Sequence, residues 1–420
     1  MTTAAALSAA KDAYIPASRA AILEALSALP GWDGETAARL PDLARVIAAV
    51  MHYEAYADME RLRALYAPLD PDARSEAPEG AFAAFEAALT GALLKANFTE
   101  IDAATIDARG AANLTGDLRI RASDAGIRRI RFFVRGAHSQ RLTQRRLLGL
   151  RTREIEADIL SDVIVVVAFK PQSEIARRDR RAFEDMRRGI RPGAALVKHF
   201  RHVARAELIT LHPGAKPTMR PRDQVFLAVP ALAGGIPVAL QIAPAVTVLF
   251  AVIAAYLGMR GAIEESQLKQ ALAAISGLVA VGAFVMRQWM KYERQTLKYQ
   301  KQLSDTVYFR NVANNAGVLD ALIGAGEEQD AKEAILAYAL LRRAENGLTR
   351  PELDRAIEAF LREAMRLDVD FEIGDALAKL ERLGLVTAEG ETLRAAPIAE
   401  ALARLDAAWD SYFQFGRLTA

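Results

Sequence analysis

The segment running Tyr308, Phe309, Arg310, Asn311, Val312, Ala313, Asn314, Asn315, Ala316, Gly317 holds the densest group of side chains with specific chemistry in the chain. On a helix, Asn311, Asn314 and Asn315 fall at i, i+3 and i+4, on one face, with Arg310 beside them. Three amides and a guanidinium suit a polar ligand or a phosphate. Asparagine is a poor helix former, so helicity does not explain the cluster. The competing use of the same residues is a buried polar network, or a cap that ends one helix near Gly317 and starts the next. Side-chain amides most often bond backbone, which favours that use.

Other groups are weaker. His199, His202 and His212 have metal-ligating side chains, but Arg201 and Arg205 lie among them and no carboxylate pattern completes a site. They read as basic residues next to a membrane. Glu327, Glu328, Asp330 and Glu333 offer oxygen ligands and read as a solvated helical face. No metal and no cofactor is expected. The absence of cysteine excludes disulfides, zinc–thiolate sites and thiol catalysis. The sequence has no phosphate-binding glycine loop of the Walker kind, no Gly-x-Ser-x-Gly elbow and no His-Glu-x-x-His.

Charge is unevenly placed. The net +2 conceals roughly −8 over residues 1–118, +17 over 119–298 and −7 over 299–420. Arg128, Arg129, Arg131, Arg135, Arg145 and Arg146 form one basic cluster, and Arg177, Arg178, Arg180 and Arg181 another. Arg220, Arg222, Arg287 and Lys291 flank two uncharged runs, Val225–Met259 and Ala271–Met286. Contact with anionic headgroups is the expected role of these cations. Nucleic acid is disfavoured, because aromatic residues for base stacking are thin among them.

The elements that must position these groups follow from periodicity. Residues 1–97 read as a helical N-terminal region, with Leu43, Val46, Ile47 and Val50 at helical spacing. Residues 98–215 read as a small, basic, mostly antiparallel β-containing domain, from the strand patterns of Leu118–Ala122, "IRRIRFFVRG" and Ile155–Phe169. A polar helix closed by Gly189 follows, and "LVKHFRHVARAELITLHPGAK" leads on toward a membrane. Residues 216–298 read as a transmembrane helical hairpin with spans near 225–259, kinked or re-entrant in the first half, and 271–290. Basic outer flanks place both termini in the cytoplasm. Residues 299–420 read as a helical C-terminal domain with a winged-helix-like module at 329–413, started by a capping box of Thr349 and Glu352. Its "DFEIGDALAKLERLGLV" helix carries Asp370, Glu372, Asp375 and Glu381 against Lys379 and Arg382, an acidic face that favours protein over DNA. The fold class expected is an α+β membrane protein.

Several segments in order, "YIPASRAAILEAL", "YAPLDPDA", "RFFVRG", "VARAELITLHPGAKPTMRPRDQ", "VPALAGGIPV", the long stretch from "RQWMKYERQTLKYQ" through "YFRNVANNAGVLDALIGAGEEQD", and "DFEIGDALAKLERLGLV", resemble the transmembrane protein 143 family, also called the domain of unknown function 3754 family. The resemblance runs from about Tyr14 to Phe413 and is most specific at Tyr308–Gly317 and Glu327–Gln329. It implies a membrane protein with a pair of spans and, for eukaryotic members, an organelle. It implies no activity, cofactor or catalytic residue. The N-terminal stretch carries neither a secretion signal nor a transit peptide pattern, so an organellar location is not carried over.

The expectation from sequence is therefore an integral protein of a bacterial inner membrane without catalysis: a scaffold, adaptor or sensor that contacts anionic lipid and a protein partner. A homo-oligomer is compatible with it. Two alternatives stay open, an oligomeric channel or transport component and a lipid- or nucleotide-acting enzyme using the Arg310–Asn315 cluster.

Overall fold

The computed structural model describes residues 13–75, 77–102, 106, 119–146, 151–187, 189–218 and 308–412, with scattered positions between 250 and 301. The chain divides into two compact units, Met1–Ile106 with Asp124–Arg205 and Arg310–Ala420, and Asp107–Ser123 with Ala206–Phe309.

In chain order the elements are α1 (Arg19–Ser27), α2 (Gly34–Tyr66), α3 (Ala81–Lys95), β1 (Thr99–Ile101), β2 (Arg119–Arg121), β3 (Ile127–Arg146), β4 (Arg151–Phe169), α4 (Arg180–Arg187), β5 (Ala195–Ala204), β6 (Lys216–Thr218), β7 (Asn311–Asn314), α5 (Ala316–Arg343), β8 (Leu348–Thr349), α6 (Arg350–Met365), α7 (Ile373–Arg382), β9 (Val386–Glu389), β10 (Thr392–Ala395) and α8 (Ile398–Ser411). The pair β2–β6 lies in the second unit.

The first unit has a five-stranded antiparallel sheet in the order β1-β3-β4-β5-β7. Val163 to Val167 is a run of β-branched residues, all buried, as a strand covered on both faces requires. On one face Phe133, Ile164, Val166, Ala195 and Val197 pack against Tyr66 of α2, Phe85 and Leu89 of α3 and Val318 and Leu322 of α5. The Tyr66 hydroxyl donates to Ala195 O at 3.0 Å and ties α2 to the sheet. Helix α2 starts where Asp33 accepts from Thr36 N at 2.7 Å, and it buries Leu40, Leu43, Ile47 and Val50 along one stripe.

A second core gathers α1, the first half of α2, the end of α5, and α6 to α8. Here the element order is helix, strand, helix, helix, strand, strand, and the strands pair in the order β8-β10-β9. Thr349 and Glu352 form the reciprocal capping box that the spacing predicts. Gly390, at φ +66°, makes the turn between β9 and β10. Helix α5, 28 residues and about 42 Å long, runs from the sheet core into this second core.

Three sequence expectations are corrected. Among the described residues no helix is long and apolar enough to cross a membrane. That overturns the transmembrane hairpin, the α+β membrane fold class, and the placing of the chain as an integral inner-membrane protein with two cytoplasmic termini. An uncharged sequence is not sufficient for a span, which needs about 20 residues of unbroken helix to satisfy its own amides. At Leu257 and Gly258 the chain turns, with Gly258 in the left-handed region at φ +74°. Positions 219–249, which include Arg220, Arg222 and most of the first run, lie outside the described residues, as do seven positions of the second run. Second, "LVKHFRHVA" does not lead to a membrane; it is β5, an interior strand. Lys198, His199 and Arg201 disguise its strand pattern in the sequence. Third, Asn311–Asn314 is an edge strand, not a turn of helix.

Candidate functional site

The polar stretch of α5 lies between the two cores. Val318, Leu319 and Leu322 belong to the sheet core, and Ala334 to Leu341 to the helical core. Between them Gln329, Lys332 and Glu333 are buried, Glu333 to 1%. Of the solvated face expected of Glu327, Glu328, Asp330 and Glu333, Glu333 is buried and the other three are half-buried, because helices pack on α5 from several sides.

The buried groups are bonded. Gln329 Nε2 donates to Glu333 Oε1 at 2.8 Å, and Gln329 Oε1 accepts from Ile15 N at 3.4 Å. Lys332 Nζ donates to Ile15 O at 3.3 Å, and burial pulls its pKa down. Burial pushes the Glu333 carboxyl up to about 8, against the smaller pull of the Gln329 amide, so it holds its proton at neutral pH.

Beside them, Lys379 of α7 binds Asp330 at 2.6 Å and also Asp375. Burial works against the charged lysine, but the two carboxylates outweigh it and raise its pKa. Asp330 also retains its proton more strongly than usual, from burial first and then from Asp375. Arg382, one turn on, grips Glu54 of α2 through two bonds at 2.5 and 2.7 Å. Glu54 is held below its ordinary range: burial would raise it, and the bonds from Arg382 and Tyr412 prevail. A recess of about 220 Å³ opens here, walled by Met51, Glu54, Asp58, Lys95, Asp330 and Lys379 among others. Lys95 pairs with Asp58 at 2.9 Å. Carboxylate oxygens of Asp330, Glu333 and Asp375 lie within 4.8 Å of one another, and the Lys379 ammonium already supplies counter-charge. Chemically the arrangement fastens α7 to α5 and α2 and stores a proton on Glu333.

A second polar centre sits in the sheet. Asp162 of β4, 2% exposed, accepts from Arg135 Nε at 3.0 Å and Arg201 Nε at 3.0 Å, and lies 2.7 Å from His199 Nε2. Register sets this up, since Arg135 and Arg201 are its direct cross-strand neighbours. Burial would raise the Asp162 pKa; the His199 bond and the Arg135 charge hold it well below the usual carboxylate range. Arg135 also donates to Ala96 O at 3.0 Å and lies over the rings of Tyr14 and Phe98. The signal was present in the sequence: Asp162 is the one charge in Ile159–Phe169, and a buried carboxylate requires a partner.

The residues singled out from sequence are dispersed. Tyr308 and Phe309 are exposed and belong to the second unit, while Arg310, half-buried, and the asparagines belong to the first. Asn311 and Asn314 bond each other reciprocally at 2.9 and 3.1 Å. Asn315, at φ +53°, caps α5; its N–H donates to Val197 O at 2.6 Å and its Oδ1 accepts from Val197 N at 3.4 Å. Gly317 lies in the first turn of α5. Among the arginines, Arg131 binds Glu100 through two bonds and also reaches Glu86, and Arg135 is buried, so neither is a surface cation. Arg129 pairs with Glu86 at 3.1 Å. Arg128, Arg177, Arg178, Arg180, Arg181, Arg287 and Lys291 are exposed.

Fold and site together define an α+β protein with a charge-laced helical junction, in which the titratable groups answer one another. Residues 161–317 match the family described as protein of unknown function (DUF3754). That match supports the DUF3754 resemblance over the segment from β4 to the start of α5, which contains Asp162, His199 and Asn315; it does not confirm the name transmembrane protein 143. No curated protein and no solved structure matches the chain.

Proposed function

We propose that the protein is a non-catalytic adaptor, in which the first unit is a platform and its winged-helix-like part, Leu348–Ser411, binds a protein partner. The observation that carries this reading is the use made of α7. In a winged helix this is the helix that would enter a DNA groove. Here its two cations are spent internally, Lys379 on Asp330 and Arg382 on Glu54. Glu381 of this helix and Asp370, Glu372 and Glu391 beside it are exposed acids, while Glu389 pairs with Arg394 at 3.2 Å. Such a surface repels phosphate and suits a basic protein patch.

Proximity labelling in the native cell, followed by reconstitution with the purified partner, tests the reading. The charge reversal D370K/E372K/E381K should weaken that complex at least tenfold and leave the melting temperature of the chain unchanged. Unchanged affinity, or duplex DNA bound more tightly than the partner, would refute it.

A further inference from the structure

Helix α8 ends on a face that the helical core does not use. Asp406, Trp409 and Asp410 fall at i, i+3 and i+4, and all three are exposed, Trp409 to 39%. Ile398, Ala401 and Leu405 are the buried residues of the same helix. The Trp409 ring lies 5.9 Å from that of Tyr53 on α2 and 6.4 Å from that of Tyr412, and the two tyrosine rings are 4.5 Å apart. The tyrosine planes stand at 63° and 88° to the indole, so neither stacks flat on it. Tyr412 donates to Glu54 at 2.6 Å, and Arg382 grips the same carboxylate, which fixes the cluster to α2 and α7.

The cations of this region are already engaged. Arg382 is on Glu54, Lys379 on Asp330 and Asp375, and Arg404 on Glu400 and the Gly384 carbonyl. Among the described residues, Asp406 and Asp410 have no partner and Trp409 has no cation over its ring. Trp32 shows the contrasting case, since the Arg343 guanidinium covers it at 5.7 Å. An exposed indole between two unpaired carboxylates invites a cation with a flat face. Guanidinium is such a group. It stacks on an aromatic ring while its N–H edge binds carboxylate, which an ammonium cannot match.

We propose that this end of α8 receives an arginine of the protein partner, stacked on Trp409 and bonded to Asp406 or Asp410. The inference rests on the adaptor reading and adds to it an anchor outside α7 and the residue type that fills it. Rigidly held tryptophan and tyrosine, with arginine, are the residues that dominate the energy of protein interfaces. Nucleic acid is disfavoured, because the aspartates repel phosphate. A proline-rich segment would use the rings and leave both carboxylates unpaired.

Fluorescence anisotropy of labelled hexa-arginine and hexalysine peptides, titrated with the full chain, tests the site. Hexa-arginine should bind at least threefold more tightly than hexalysine. W409L should lower that preference at least threefold. D406N/D410N, at exposed positions outside the ring contacts, should weaken both peptides and keep the melting temperature of the parent. Equal affinity for the two peptides, a preference unchanged in W409L, or parent-like binding of hexa-arginine by D406N/D410N would overturn the proposal. Hexaproline or an oligonucleotide bound more tightly than hexa-arginine would also overturn it. The reconstituted partner complex separates this inference from the reading beneath it. There W409L should weaken binding about tenfold. Loss of binding in D370K/E372K/E381K with none in W409L overturns the anchor alone. A Trp409-dependent preference for hexa-arginine, with D370K/E372K/E381K harmless to the complex, overturns the adaptor reading alone.

Discussion

Glu333→Gln isolates the most perturbed group of the helical junction. Glu333 is 1% exposed and its pKa is pushed up to about 8 by burial. In the unfolded chain it titrates near 4.5. A folded pKa above the unfolded one means that the native state retains a proton the unfolded state has released. Its contribution is complete below about pH 4.5 and declines as pH rises toward 8, at roughly 1.4 kcal/mol per pH unit. Between about pH 5 and pH 8 the parent should lose up to about 4 kcal/mol from this residue, and about half of that if the site relaxes or admits water. Gln keeps the shape of the protonated acid and can accept from Gln329 Nε2 as Glu333 Oε1 does. It has no proton to lose. Urea unfolding at several pH values should therefore give nearly equal stabilities near pH 5 and a more stable variant near pH 8. Parallel stability profiles for parent and variant would refute the reasoning, since they would mean that Glu333 ionises in place at little cost.

Asp162→Asn removes the carboxylate between Arg135 and Arg201 and leaves Arg135 buried without its counter-charge. A loss of about 3–5 kcal/mol is expected in urea unfolding near neutral pH, and a loss under about 1 kcal/mol would contradict the pairing. Thr349→Ala breaks the capping box of α6 and should cost about 1 kcal/mol in the same measurement, without changing the slope against urea.

The legible part of the structure was the local part. Thr349 and Glu352 announce the start of α6 because a capping box satisfies the first amides of a helix locally, whatever lies around it. Val163–Phe169 declared a strand through its β-branched residues, and the cores of α1 and α2 through their spacing. The sign and position of the arginine clusters were plain as well. The candidate site was only half visible. The strand β5 and the Asp162 centre depend on partners brought together by long-range pairing, and Lys198, His199 and Arg201 look like a solvated run until Asp162 is placed beside them.

Spacing along α5 puts Glu327 to Glu333 on a helix, but it cannot say whether water or another helix covers that face. Packing of α7 and the N-terminal segment decided this: it half-covers Glu327, Glu328 and Asp330 and buries Glu333, which retains its proton. The same limit applies to the uncharged runs. The sequence reports an absence of charge, whereas a span depends on a helix that is both long and apolar, and among the described residues no helix is both. Charge and local propensity are written residue by residue; burial and register arise only when distant segments meet.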